Sequence, residues 1–310
     1  MSRKKFKMLD SLSLQDFDEN SELIPLMTTE DEEVIKNELL PDSLAILPLR
    51  NTVLFPGVVI PITAGRDKSI KLINDANKGS KVIGVVAQKD EGVENPKFDD
   101  IHSVGTVARI LKVLKMPDGN TTVIIQGKKR FEISQPVSES PYLKAKIKSV
   151  EEIIPKKNNQ EFNAVIDSIK ELSLNIIKQS PTIPSEASFA IKNIESDSFL
   201  INFVSSNMAV SVAEKQNLLT INDLHDRAIQ TLKHMNVEFQ RLELKNDIQS
   251  KVQHDMNQQQ REYFLQQQIK TIQEELGGVS YEEEIEEMKE RASLKLWDLK
   301  IKKHFEKEIG

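Results

Sequence analysis

The sequence predicts an α+β fold: a β-barrel or curved, mostly antiparallel sheet with one inserted helix, then an α-helical bundle and a long projecting helix. Three observations carry this. All 12 prolines lie at or before Pro184. No glycine occurs between Gly127 and Gly277. The apolar spacing changes from alternation before Pro155 to a helical period after it. Proline and glycine interrupt regular structure, so a punctuated first half and an unbroken second half imply two architectures in one chain.

Composition narrows the function classes. With no cysteine, the 310-residue chain has no disulfide framework, no cysteine-based zinc site and no thiol nucleophile. The stretch from Val53 to Ile62 carries Pro56 and Pro61 and falls far short of the ~20 apolar residues a membrane span needs. Arg3, Lys4, Lys5 and Lys7 precede no apolar segment of the signal-peptide kind, so the expected location is the cytoplasm. Residues 1–40 hold five cations and ten anions, a net −5 of the chain's −6, which leaves the remainder nearly neutral. Residues 1–41 therefore read as an acidic, mobile arm.

From Leu44 to Ile154, short apolar or alternating runs are bounded by turn residues: Ala45–Leu49, Val58–Ile62, Val82–Ala87, Val104–Leu114, Thr121–Gln126, Arg130–Ser134 and Tyr142–Val150. Lys144, Lys146 and Lys148 fall on every second position, the period of a strand with one wet face. Met116-Pro117-Asp118-Gly119-Asn120 supplies hairpin chemistry, with proline fixing φ and glycine accepting φ > 0. Asp67–Asn77 places Ile70, Ile73 and Ala76 on one helical face. After Pro155 the helices begin. Glu161–Ser180 carries an apolar stripe closed by Pro181 and Pro184, and a second helix is expected over Ala187–Val204. Ser211-Val212-Ala213-Glu214 is a capping box that starts a helix ending near Leu219.

Nothing breaks the helix from about Asn222 to Leu276, where Leu224, Ala228, Leu232, Met235, Phe239 and Leu242 step by three or four, as do Leu265, Ile269, Ile272 and Leu276. Continuous, it would be roughly 80 Å long, so part of it is expected to project. Gln253–Gln260 has Met256 as its single apolar residue and is expected to bend or be solvated. Gly277-Gly278 caps this helix, and another starts at Ser280 and runs to Gly310. The expected divisions are thus 1–41, 42–155 (β-rich), 156–220 (bundle), 221–277 (long helix) and 278–310 (further helix).

No catalytic constellation emerges. Gly127-Lys128 is the nearest approach to a phosphate loop, but Thr122 stands where the first glycine belongs and Lys129 where the hydroxyl belongs. His102, His225, His234, His254 and His304 have no metal-ligand spacing. Lys112, Lys115, Lys128, Lys129 and Arg130 flank the hairpin and could form a basic patch for nucleic acid; lysines that keep an edge strand soluble are the competing explanation. Met116 and Pro117 are apolar residues at a hairpin tip, and Leu54-Phe55-Pro56 sets an aromatic residue beside a proline at a strand end.

Four ordered blocks resemble one family. They are Leu47-Pro48-Leu49-Arg50-Asn51-Thr52-Val53-Leu54-Phe55-Pro56-Gly57; Val104-Gly105-Thr106-Val107-Ala108-Arg109-Ile110; Ser211-Val212-Ala213-Glu214-Lys215-Gln216 with Leu218-Leu219; and Arg261-Glu262-Tyr263-Phe264-Leu265 through Gln273-Glu274-Glu275-Leu276-Gly277. Together, from Leu44 to Gly277, they resemble the N-terminal region of Lon, the ATP-dependent AAA+ serine protease. The resemblance implies a PUA-like β-rich subdomain, a bundle and a long helix leading toward an ATPase ring. It further implies substrate recognition and stabilisation of a homohexamer that degrades misfolded, damaged and short-lived regulatory proteins. ATP and Mg would serve the full-length protein. The Walker motifs, arginine finger and Ser–Lys dyad match nothing here, so this chain by itself is expected neither to hydrolyse ATP nor to cut peptides. Capture of unfolded protein is expected at Leu54, Phe55, Met116 and Pro117, and on the long helix at Met256 and Tyr263. The alternatives are a stand-alone adaptor of the same architecture and a weak nucleic-acid-binding module using the lysine patch.

Overall fold

A computed structural model describes residues 38, 40–116, 120–156, 159–275 and 281–309. Its sheet contains β1 (Ser43–Leu49), β2 (Val59–Ala64), β3 (Val82–Ala87), β4 (Val104–Lys115), β5 (Thr121–Ser138) and β6 (Lys144–Ser149), with α1 (Asp67–Lys78) between β2 and β3. The strand order is β2-β5-β4-β3-β1-β6, and β6 pairs in addition with the second half of β5. Because β2 pairs with β5 alone, the sheet keeps an edge. It is a curved sheet folded back on itself rather than a closed barrel. It is also mixed, since β1 and β3 run parallel while the other ladders are antiparallel; the connection between them carries β2 and α1, as a parallel crossover requires.

The local chemistry explains these elements. Lys144, Lys146 and Lys148 are exposed while Ala145 is buried, so the alternating lysines do mark the wet face of β6. Pro61 lies on β2, an edge strand, where a missing N–H disrupts the sheet least. After β1 the chain turns at Gly57 (φ 80°), a left-handed conformation that glycine accepts without strain. Gly57 N–H donates to Gly127 O and Gly127 N–H to Val58 O, both at 2.9 Å. A Cβ on Gly127 would collide with Phe55 O, so glycine is required for this approach.

The helices are α2 (Gln160–Gln179), α3 (Ala187–Asn193), α4 (Asp197–Asn207), α5 (Val212–Thr220), α6 (Leu224–Glu275), α7 (Tyr281–Ser293) and α8 (Leu299–Ile309). Two single helices of the sequence reading are each divided. Ala187–Val204 breaks where Ser196 caps α4, its hydroxyl accepting from Phe199 N–H at 3.1 Å. The helix expected to run from Ser280 to Gly310 is interrupted between Ser293 and Leu299, and Lys302 N–H bonds Asp298 O at 3.0 Å as α8 begins. The predicted capping box is present: Ser211 Oγ accepts from Glu214 N–H while Ser211 N–H donates to Glu214 Oε2 at 2.8 Å. The glycine cap at Gly277-Gly278 and the start at Ser280 lie outside the described residues.

The chain divides into two compact units between Glu243 and Leu244. Within the first, an apolar core joins Phe55 and Val58 of the β1–β2 connection and Ala87 of β3 to Phe162, Ile169, Leu200, Leu219, Ala228 and Met235 of the helices. Two buried arginines reinforce that junction. Arg130 on β5 donates to Leu219 O and Ile221 O, both at 2.9 Å. Arg227 on α6 donates to Glu152 Oε1 at 2.8 Å, Asn202 Oδ1 at 3.2 Å and Ile221 O at 2.5 Å. In the second unit, the α6 residues from Asp247 to Ile272 are exposed, and Trp297 stacks edge-on against Phe305 at 4.7 Å.

Candidate functional site

The outermost three strands present a solvent-facing surface whose register is fixed by the β2–β5 and β5–β4 ladders. Across it run three rows: Val59–Gln126–Arg109, then Pro61–Ile124–Lys112, then Thr63–Thr122–Leu114. The alternate positions Ile60, Ile62, Val123, Ile125, Ile110 and Val113 turn to the other side and pack in the core. Between Ile110 and Lys112 the register slips by one, leaving Leu111 as an extra residue. A bulge of this kind re-aims a side chain, and Leu111 is 48% exposed. At the end of the ladder Met116 N–H bonds Asn120 O at 2.9 Å, and Met116 is 42% exposed. Leu111, Met116 and Pro61 are thus exposed apolar residues on this face, with Leu114 and Ile124 half-buried beside them.

The residues expected from the sequence separate sharply. Met116 belongs to this face, and Pro117 lies outside the described residues. Leu54 and Phe55 do not face solvent: they are 2% and 0% exposed. The turn held by Gly57 and Gly127 folds them inward, and Thr106 Oγ1 donates to Leu54 O at 2.5 Å. They belong to the core. Met256 and Tyr263, at 50% and 65% exposure, lie on α6 with Leu244, Ile248 and Val252 as a second apolar stripe. Leu111, Leu114, Ile124 and Pro61 escaped the sequence reading. Leu111 alone had a local signal, the adjacent pair Ile110-Leu111, which breaks strand alternation and marks the bulge.

The lysine patch does not assemble as a unit. Arg130 is 3% exposed and spends its guanidinium on Leu219 O, Ile221 O and Asn222 Oδ1. Burial, with repulsion from Arg227, pushes its pKa down to about 10, so it remains a cation at neutral pH and is committed to the core. Lys128 faces Glu38 Oε2 at 3.9 Å. Lys112 and Lys115 are exposed on β4. A nucleotide has no cradle here either: Gly127 sits within β5 with its N–H given to Val58 O, so its backbone is not free to wrap a phosphate. Among the described residues no cluster of three histidines or carboxylates could hold a metal ion, and no helix is long and apolar enough to cross a membrane. The ATP and Mg that the resemblance implies for the full-length protein find no fitting residues among those described.

Residues 43–237 match the family model described as the ATP-dependent protease La (LON) substrate-binding domain. The chain belongs to that Lon family. It is 69% identical over 310 residues to the Lon protease of Flavobacterium johnsoniae, covering all of this chain and 38% of that protein. With the Lon protease of Cytophaga hutchinsonii it shares 48% identity over 289 residues, covering 93% of this chain and 36% of that protein. The chain thus spans under two-fifths of the length of these relatives. The solved N-terminal domain of a Mycobacterium avium complex Lon protease, 20% identical, superposes with a TM-score of 0.53 over 63% of this chain and 98% of that one, which supports the fold. The Lon-family match contains the whole sheet face and stops before Leu244. Met116 lies within it, and Met256 and Tyr263 lie beyond it.

Proposed function

We propose that this chain holds exposed apolar segments of unfolded or damaged proteins at the outer face of β2, β5 and β4, in the service of a Lon-type protease. The observation that carries the reading is an uncovered apolar face, including a leucine turned out by a bulge, inside the region that matches a substrate-binding family. Weak contacts of this type gain strength when several copies are held together, because each further contact forms at high effective concentration. In the full-length protein that multiplicity would be a homohexamer. Its ATP-dependent serine peptidase activity, its use of ATP and Mg and its cytoplasmic location are parts of the same proposal. So is a division of labour in which 42–155 recognises substrate, 156–220 supports it, and 221–277 and 278–310 lead toward the motor.

The test is photocrosslinking of the chain to a denatured protein, comparing the parent with a Leu111→Asp/Met116→Asp variant. Burying a carboxylate against an apolar ligand is costly, so capture is expected to fall about tenfold with the far-UV spectrum unchanged. Undiminished capture by a folded variant removes this face from the binding site.

A further inference from the structure

The sheet face carries charge of one sign. Arg109 and Lys112 stand on it in the register rows given above, both exposed, and neither forms an ion pair among the described residues. Neither β2 nor β4 contains an Asp or Glu, and neither does β5 as far as Gln126. Lys115, also exposed, ends β4 beside them. The cations sit along the β4 side, and apolar Pro61, Ile124 and Leu114 share the rest with Val59, Gln126 and the hydrogen-bonded pair Thr63–Thr122. An apolar surface flanked by unneutralised cations favours a ligand that supplies carboxylates next to apolar side chains. On β2 and β5 the rows repeat at every second residue, about 7 Å apart, which is the spacing of same-side residues in an extended chain.

We infer that this face selects extended apolar segments bearing acidic residues, with Arg109 and Lys112 as the residues that make the choice. The inference rests on the reading of this face as the holding site. Its occupant is a protein segment. Nucleic acid is the less suitable ligand, because the patch that would hold its phosphates has lost Arg130 to the core and the face offers no aromatic ring for base stacking. Pro61, with no N–H, weakens the outer edge of β2 as a template for strand addition, so the segment lies across the face.

The experiment measures binding of fluorescent peptides of one apolar, helix-poor sequence carrying two aspartates, two serines or two lysines. The aspartate peptide is expected to bind about fivefold more tightly than the serine peptide, and the lysine peptide about fivefold more weakly, at low ionic strength. The differences should collapse near 0.5 M salt, where the Debye length is only about 4 Å. In the variant Arg109→Gln/Lys112→Gln the aspartate-to-serine ratio should fall to about one. Equal affinities for the three peptides, or an aspartate preference that survives in that variant, overturns the inference. So does tighter binding of single-stranded DNA that the same variant abolishes. The underlying reading fails separately: if Leu111→Ser/Met116→Ser leaves all three peptides bound as before, the segments bind elsewhere.

Discussion

Helix α6 passes through two regimes along one uninterrupted element. Before Glu243 it is bound into a core, with Leu224, Ala228 and Met235 at 2%, 0% and 1% exposure. Arg227, wholly buried, bonds across to Glu152 and Asn202, and α5 grips the same stretch through His234, 3.9 Å from Glu214. Beyond Leu244 the apolar side chains continue, yet Leu244, Ile248, Val252 and Met256 are each at least half exposed. The side-chain hydrogen bonds from Gln253 to Thr271 join successive turns of the helix itself. Similar apolar content therefore has opposite consequences. A helical stripe stabilises a fold only where another element covers it. Elsewhere it is surface.

The largest effect is expected at Arg227. Truncation to Ala leaves Glu152, 16% exposed at its side chain, without its cation and Asn202 Oδ1 without this donor, while Ile221 O keeps only the bond from Arg130. Breaking a buried pair from one side costs about 3–5 kcal/mol, to be read as a lower denaturant midpoint of the first unit. A change below about 1 kcal/mol would show that the junction between sheet and helices does not depend on this arginine. Replacing both partners by apolar residues of similar size should recover much of the loss, because the uncompensated charge is what costs most.

Met235 and Ile248 sharpen the same comparison at the next scale. Met235→Ala opens a cavity beneath the helices and should cost about 2–4 kcal/mol. Ile248→Ala removes a side chain that is already 54% exposed and should stay within about 0.5 kcal/mol. A loss beyond about 1.5 kcal/mol at Ile248 would mean that something covers this stripe in solution.

Much of the fold was legible from punctuation and period. The lysine alternation at 144, 146 and 148, the helix at Asp67, the hairpin beside Met116 and the capping box at Ser211 each rest on a local rule, and local rules act within a few residues. What escaped depended on distant partners. The parallel pairing of β1 with β3 arises from a crossover, and the inward turn of Leu54 and Phe55 depends on Gly127, some seventy residues further on. Arg130 looked like a surface cation because its acceptors lie some ninety residues further on, at the end of α5 and in the loop before α6. Of the candidate face, Met116 was visible as an apolar residue in a turn. Leu114, Ile124 and Pro61 became neighbours only once three strands were set in register.

The smallest effect concerns the contact that fastens α5 near the end of the covered stretch of α6. Ser211 Oγ donates to Glu214 Oε2 at 2.6 Å and Ser211 N–H donates to the same oxygen. These bonds hold the Glu214 carboxyl below its ordinary pKa of 4.5, with smaller help from His234 and Arg241. A depressed carboxyl contributes stability that is complete above its unfolded pKa and is lost as pH falls through the folded one. The contribution should thus be present at pH 6, begin to fall near pH 4.5 and vanish only below the depressed folded value. Ser211→Ala removes the cap and should cost about 1 kcal/mol at neutral pH, and the deficit should shrink as acid protonates Glu214 in the parent. Because Glu214 lies on the surface, salt should weaken the share that comes from His234 and Arg241 while sparing the two short bonds from Ser211. Thermal melts of parent and variant between pH 3 and pH 7 would show the two curves converging at the acid end. Parallel curves across that range would mean that the cap is worth the same with a neutral carboxyl, and that the charge of Glu214 does not help fasten α5 beside α6.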